Sequence, residues 1–363
     1  MAPFLQYLLT ASTAILSAFD TSHSVSKPSI LLDITPIFNE SHHATSLVSS
    51  LVLKYVPDIE TGNVLLEMTT LQDNAPSNDY SGEHSLHASD ENGVLPTYFE
   101  DDTKSNMRYW YSNRTTKGSI TVMFEAFPTI LDKHTPVGAR VDLRADQGGL
   151  LGTGLSFIPV PPKSATIYDI KLVWNLAHAR SGTLTVWTFG DGPQASKSGT
   201  AEILTGSNFM VGPINSYRHK VRTSIGVEED FGVYWFGTPP TFDITDIVEK
   251  CEKLFTVLAG FFLDTDVSYK IFLRFNPVKG FGGTGMLRSF VLEYDLITKP
   301  TAESILYLLT HEMIHNWPLM SAKDGEAIAR ELFYDEGLLT LHFSVCVYTI
   351  STLYLIAFVC LAC

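Results

Sequence analysis

The stretch Thr310-His311-Glu312-Met313-Ile314-His315-Asn316-Trp317 constrains this chain more than any other. It holds His-Glu-x-x-His, a pattern that works only on a helix. Residues four apart share one helical face, about 6 Å along the axis, so His311 and His315 can turn their imidazoles to one metal ion. Glu312, one step round, can reach a water on that metal. Two neutral nitrogens and a carboxylate base suit zinc-dependent hydrolysis. The surroundings favour a helix. Thr301 follows Pro300 as an N-cap, and Glu303 places negative charge in the first turn. Ile305, Leu308 and Met313 supply apolar positions, and Pro318 should end the helix. His311 falls on one stripe with Leu308 and His315, which predicts that both histidines point inward. The rival reading is two core histidines with ordinary partners. Two imidazoles beside an acid are hard to satisfy in a core without a cation.

A second helix is predicted over residues 327–339, with Leu332, Glu336, Leu339 and Phe343 on one stripe. A carboxylate on an apolar stripe should not be buried unpaired, and zinc would satisfy Glu336. Glu331 and Asp335 sit on flanks that suit solvent better. The rival for Glu336 is a salt-bridged or partly exposed acid.

His-Glu-x-x-His-x-Trp, followed by an aromatic-rich stretch ending in Glu336-Gly337, resembles the gluzincin metallopeptidases. Within them it is most similar to the glycyl-aminopeptidase family. The resemblance covers roughly the last third of the chain. It implies Zn2+ held by His311, His315 and Glu336, with Glu312 as general base, and a peptide as substrate. It also implies an α+β fold: an N-terminal β-sandwich-like domain, then a thermolysin-like zinc peptidase domain that is incomplete here. The order of elements after Ile214 fits that domain: a strand at 233–236, a helix from Asp243 through Leu258, strands at 269–275 and 289–294, then the histidine helix. In that fold the strand nearest the metal binds substrate backbone by strand addition. By resemblance, Gly282, Gly283, Thr284 and Gly285 occupy the substrate loop. An acidic residue often found in the bacterial loop is absent. A plain Gly-rich turn is the rival reading for these four residues.

Residues 29–213 read as strands, at 30–34, 51–56, 64–68, 108–111, 119–126, 169–174 and 183–189, with turn signals between them. That pattern predicts a sandwich. The polar stretch 72–106 reads as mostly loop, and Thr116-Lys117-Gly118 as the turn of a hairpin joining 108–111 to 119–126. Gln147 to Gly154 lacks both the Gly-Lys-Ser/Thr ending and the Gly-x-Gly-x-x-Gly order, so it reads as a sheet connection and not a phosphate loop. No Gly-x-Ser-x-Gly elbow supports a serine hydrolase. A net charge of −14, with no Lys/Arg cluster, argues against nucleic acid or an anionic membrane surface as partner.

The ends are read separately. Residues 1–28 form a candidate leader: apolar, but without Lys or Arg ahead of the apolar run. Asn39-Glu40-Ser41 and Asn113-Arg114-Thr115 are glycosylation sequons. The secretory pathway or a membrane is therefore slightly favoured over the cytosol. Leu338 to Cys363 contains no Asp, Glu, Lys or Arg, and is long enough to span a bilayer. The expected division is 29–213 for the β-domain, 214–345 for the incomplete catalytic domain, and 346–363 for an apolar tail. Gluzincins continue past the third ligand into a helical region that carries the oxyanion-stabilising Tyr or His. A truncated product is thus one expectation for the tail, and a membrane anchor its rival. The alternative to a hydrolase is an inactive or noncatalytic, membrane-tethered β-domain binding protein.

Overall fold

A computed structural model of the chain describes residues 26–316, apart from 136, 223–225, 227, 238–242, 262–263, 265–267, 279 and 315. The described residues are mostly β-sheet with few helices. The candidate leader, all but its last three residues, and the apolar tail fall outside them. Among the described residues no helix is long and apolar enough to cross a membrane.

Among the described residues three larger sheets occupy the first part of the chain, beside a two-stranded pair of Leu71–Gln72 and Ala75–Pro76. The seven-stranded one is ordered Gln194–Gly199, Tyr168–Trp174, Ser29–Phe38, Ala44–Lys54, Ile120–Ala126, His87–Asp90, Gly93–Leu95. Its central strands alternate as one-face burial requires: Ile30, Leu32 and Ile34 are at most 1% exposed, and so are Leu47, Leu51 and Leu53. A five-stranded sheet runs Arg144–Asp146, Gly149–Thr153, Asn208–Gly212, Leu184–Trp187, Gly190–Asp191, and a three-stranded one Val64–Thr69, Met107–Ser112, Thr97–Asp102. Residues from all three, among them Leu51, Trp110 and Trp187, share one core.

Two sequence expectations are corrected here. Residues 72–106 are not mostly loop but carry strands His87–Asp90, Gly93–Leu95 and Thr97–Asp102. Their polarity reflects position: Tyr98 to Asp102 are exposed on the edge of their sheet, while Tyr80, Leu86, Ala88 and Leu95 reach the core. Nor do 108–111 and 119–126 form a hairpin. Met107–Ser112 pairs with Val64–Thr69 and Thr97–Asp102, whereas Ile120–Ala126 pairs with Ala44–Lys54 and His87–Asp90. The turn signal was real, but it marks a crossing between sheets. Gln147-Gly148 makes the turn between Arg144–Asp146 and Gly149–Thr153, as the sheet-connection reading expects.

Strand pairing changes at Pro213. Beyond it lies a separate five-stranded sheet with two helices, in the chain order β1 (Ile214–Arg222), β2 (Glu228–Phe236), α1 (Ile244–Phe261), β3 (Ser268–Phe275), β4 (Gly282–Met286), β5 (Ser289–Tyr294) and α2 (Ala302–Ile314). The sheet order is β1-β2-β3-β5-β4. β3 lies parallel to both β2 and β5, and its six central residues are buried, as a central parallel strand demands. Asp243 opens α1, its Oδ1 accepting the N–H groups of Thr245 (3.0 Å) and Asp246 (3.3 Å). The face of α1 bearing Val248, Cys251 and Phe255 packs in one core with Tyr269 and Ile271 of β3 and with Ile305, Leu309 and Met313 of α2. β4 is the outer strand, antiparallel to β5.

Candidate active site

α2 starts where its sequence says it should. Thr301 Oγ1 accepts the Ser304 N–H at 3.1 Å, and Thr301 O accepts the Ile305 N–H at 3.0 Å. Its buried stripe is Ile305, Leu309 and Met313, each at most 1% exposed. That corrects the expected register. His311 does not point into the core: with Leu308 and Glu312 it is half-buried, on the flank beside that stripe. The residues that fill the core are set by the i, i+4 rows of Ile305, Leu309 and Met313, which leaves His311 and Glu312 at the rim.

That rim faces β4. The Gly285 N–H donates to Glu312 Oε2 at 2.8 Å. A Cβ on Gly283 would lie 3.2 Å from Glu312 Cγ and 2.5 Å from Phe290 Cε2, so only glycine lets α2 and the Phe290 ring lie this close. Asn316, just past α2, accepts the Arg288 N–H through Oδ1 at 3.2 Å, at the turn between β4 and β5. The helix is thus tied to the hairpin at two points. Near Glu312 the Tyr269 ring is buried, and its hydroxyl has no hydrogen-bond partner among the described residues. Burial, with the neighbouring Glu312 charge adding to it, pushes the Tyr269 phenol far up, so it stays neutral.

The opposite face of β4 meets the first part of the chain. A Cβ on Gly282 would lie 2.3 Å from Arg140 Nη2. The Arg140 N–H donates to Thr284 Oγ1 at 2.9 Å, and Arg140 Nη2 donates to Phe281 O at 3.3 Å. Gly282 to Gly285 are therefore no plain turn. They form an edge strand whose glycines admit Arg140 on one face and α2 on the other. Sequence reading missed Arg140 and Tyr269. Neither belongs to a motif, and Arg140 is brought in from a distant segment.

Behind this strand lies a buried charge cluster. Arg274, fully buried, donates through Nε to Glu293 Oε2 (2.9 Å) and through Nη2 to Asp142 Oδ1 (3.1 Å). Arg144 Nε donates to Asp142 Oδ2 at 2.5 Å, and its Nη1 to Glu293 Oε2 at 3.3 Å. Asp146, nearby, accepts the Phe275 N–H at 2.9 Å. Burial lifts the Asp146 carboxyl to about 6.

Of the expected site residues, the structure brings together Glu312, Gly282, Gly283, Thr284 and Gly285, with His311 on the same rim. His315 and Glu336 lie outside the described residues. Among the described residues no group of three or more His, Cys, Asp or Glu side chains is placed to hold a metal ion. Two imidazoles and a carboxylate would suit zinc, and His311, the described member, sits half-buried beside the carboxylate that would act with it.

Neither a scan against protein-family models nor a search of curated proteins finds a match. Solved structures do resemble this one. An aminopeptidase N family protein from Idiomarina loihiensis is similar with a TM-score of 0.59 at 17% identity, over 85% of this chain and 53% of that one. An M1 zinc metallopeptidase from Deinococcus radiodurans, bound to a Tyr-Ser-Ala substrate, gives a TM-score of 0.47 at 12% identity, over 86% of this chain and 72% of that one. Only the first overlay is close enough to compare folds. The chain spans about half the length of the Idiomarina protein, and over that span it shares the fold of an aminopeptidase N family protein.

Proposed function

We propose that the chain carries part of a zinc-dependent, aminopeptidase-like peptide hydrolase, of the gluzincin type and closest in character to the glycyl aminopeptidases. The observation that carries this reading is the contact between Glu312, inside His-Glu-x-x-His, and the Gly285 N–H on a glycine-rich edge strand at 2.8 Å. The general base of the motif and the strand that the resemblance makes the substrate strand are neighbours. In this reading His311, His315 and Glu336 hold zinc. When bound, zinc supplies a water acidic enough to act near neutral pH. The protein groups do the rest. β4 pairs with the peptide backbone and fixes its register. Glu312 stays held at Oε2 by Gly285, takes a proton at Oε1 and passes it to the leaving amine. The thermolysin-like character of residues 214–345 belongs to the same proposal. Its support is a parallel β2-α1-β3 unit followed by an antiparallel edge strand and the histidine helix.

The test uses purified protein, elemental analysis and hydrolysis of an aminoacyl substrate. About one zinc per chain is expected, lost in His315→Ala. Glu312→Gln should keep the zinc and lower hydrolysis by a factor on the order of a hundred. Full zinc retention in His315→Ala would remove the site, and full activity in Glu312→Gln would remove the base.

A further inference from the structure

Arg140 is a cation at the candidate substrate strand with no carboxylate partner among the described residues. Its guanidinium donates to one neutral group, the Phe281 carbonyl, its backbone N–H bonds Thr284 Oγ1, and its buried Nε has no partner among the described residues. Asp142 and Glu293, the buried acids with ion pairs, face Arg274 and Arg144, and among the described residues no ion pair reaches Arg140. The position is also fixed. The Ala139 N–H donates to Asp73 O at 3.3 Å, the Thr153 N–H donates to Val141 O at 2.9 Å, and the Arg140 N–H is held by Thr284. A guanidinium in a rigid backbone setting, half-exposed and lacking a counter-ion, is poised to receive an anion.

The edge geometry says which anion. The Gly285 N–H is turned away from β5, toward Glu312. Outward and inward groups alternate along an antiparallel strand, so the N–H and C=O of Gly283 lie on the same outer edge, between Phe281 O and Gly285 N. Arg140 caps one end of that edge and Glu312 the other. An extended peptide added to the edge would point alternate side chains to opposite faces. One set would meet Arg140, on the Gly282 face; the other would meet α2, on the Gly283 face.

We propose that Arg140 is a specificity residue of this site, binding a carboxylate on the peptide one strand position from the reacting bond. The carboxylate is either an Asp or Glu side chain or the free C-terminus of a short peptide. This rests on the hydrolase reading for the location of the peptide, but its test reads binding alone. Glu312→Gln protein is titrated calorimetrically, so that peptides are not consumed. Ala-Ala-Glu-amide is compared with Ala-Ala-Gln-amide, and Ala-Ala-Gln free acid with its amide. A preference for the carboxylate on the order of tenfold is expected in one pair, which identifies the source, and Arg140→Gln in the same background should abolish it. Equal affinities within both pairs, no measurable binding, or a preference that survives Arg140→Gln overturns the proposal. Loss of thermal stability in Arg140→Gln with the preference intact would show a merely structural bolt between the two parts of the chain. A protein without zinc or hydrolysis that still shows the Arg140-dependent preference would sink the hydrolase reading and leave this one standing.

Discussion

Two adjacent glycines on β4 make a matched test of how the site is packed. Alanine at either position has an allowed backbone, since neither φ is positive, and it should remove unfolded-chain entropy worth about 0.4–1 kcal/mol. What differs is the new neighbour. At Gly283 the Cβ would lie 2.5 Å from Phe290 Cε2 and 3.2 Å from Glu312 Cγ. Phe290 is fully buried, so its ring cannot retreat without moving the core against α2. Overpacking of this kind costs about 1–3 kcal/mol, which exceeds the entropic gain. At Gly282 the Cβ would meet Arg140 Nη2 at 2.3 Å, the far end of a flexible, half-exposed side chain that can swing away. Gly283→Ala should therefore be destabilised by roughly 1–2 kcal/mol, and Gly282→Ala should stay within about 0.5 kcal/mol of the parent. Urea midpoints of the two variants, measured side by side, give the difference directly. Equal losses, or a neutral Gly283→Ala, would refute the close approach of α2 and Phe290 to the strand.

Two further outcomes follow from single groups. Burial raises Asp146 to about 6, so between pH 4 and 6 the folded state holds a proton that the unfolded state releases. Stability contributed by this group therefore falls as pH rises through that window, by up to about 3 kcal/mol. Asp146→Asn should flatten the change, read as urea midpoints at pH 5 and pH 7.5; an unchanged pH slope would refute it. Thr301→Ala should destabilise the second part of the chain by about 1 kcal/mol through loss of the α2 cap, with Thr301→Ser close to neutral by thermal unfolding.

What could be read from the sequence depended on how local its cause was. α1 and α2 were legible to their caps, because Asp243 and Thr301 bond the N–H groups of their own first turns. β3 was legible from its apolar run Ile271 to Leu273, although Lys270 and Arg274, both buried, fall outside that pattern. The strands within 72–106 were not, because an edge strand can be polar along its length, as Thr97–Asp102 is beside Met107–Ser112, and then shows no apolar alternation. The stripe assigned to His311 failed for a related reason. Leu308 and Leu309 are both apolar, and only the cores of α1 and β3 decide which of them is buried. Gly282 to Gly285 carried two readings, turn or substrate segment. Their glycines answer to Arg140, Phe290 and Glu312, none of which is a sequence neighbour.

The same non-locality explains why the candidate site needs both parts of the chain. Among the described residues the sheet beyond Pro213 shares no strand pairing with the sheets before it, yet the two are joined by charges that neither could bury alone. Arg274 on β3 without Asp142 would be a buried cation half matched, and Asp142 without Arg274 and Arg144 a buried anion. Trp187 O and Asp191 likewise receive Lys270 Nζ, at 2.8 and 2.5 Å, from the far side of the joint. Apolar contact fills in around these pairs, with Leu151, Val186 and Met210 against Tyr234, Phe272 and Val291. A joint built this way has a strongly preferred docking, because sliding it would strip several buried charges of partners at once. Arg140 rides on the segment leading into Asp142, so the cluster that locks the joint also sets the guanidinium against β4. The placement of one half-exposed cation at the candidate substrate strand is thereby tied to the buried ion pairs of the joint.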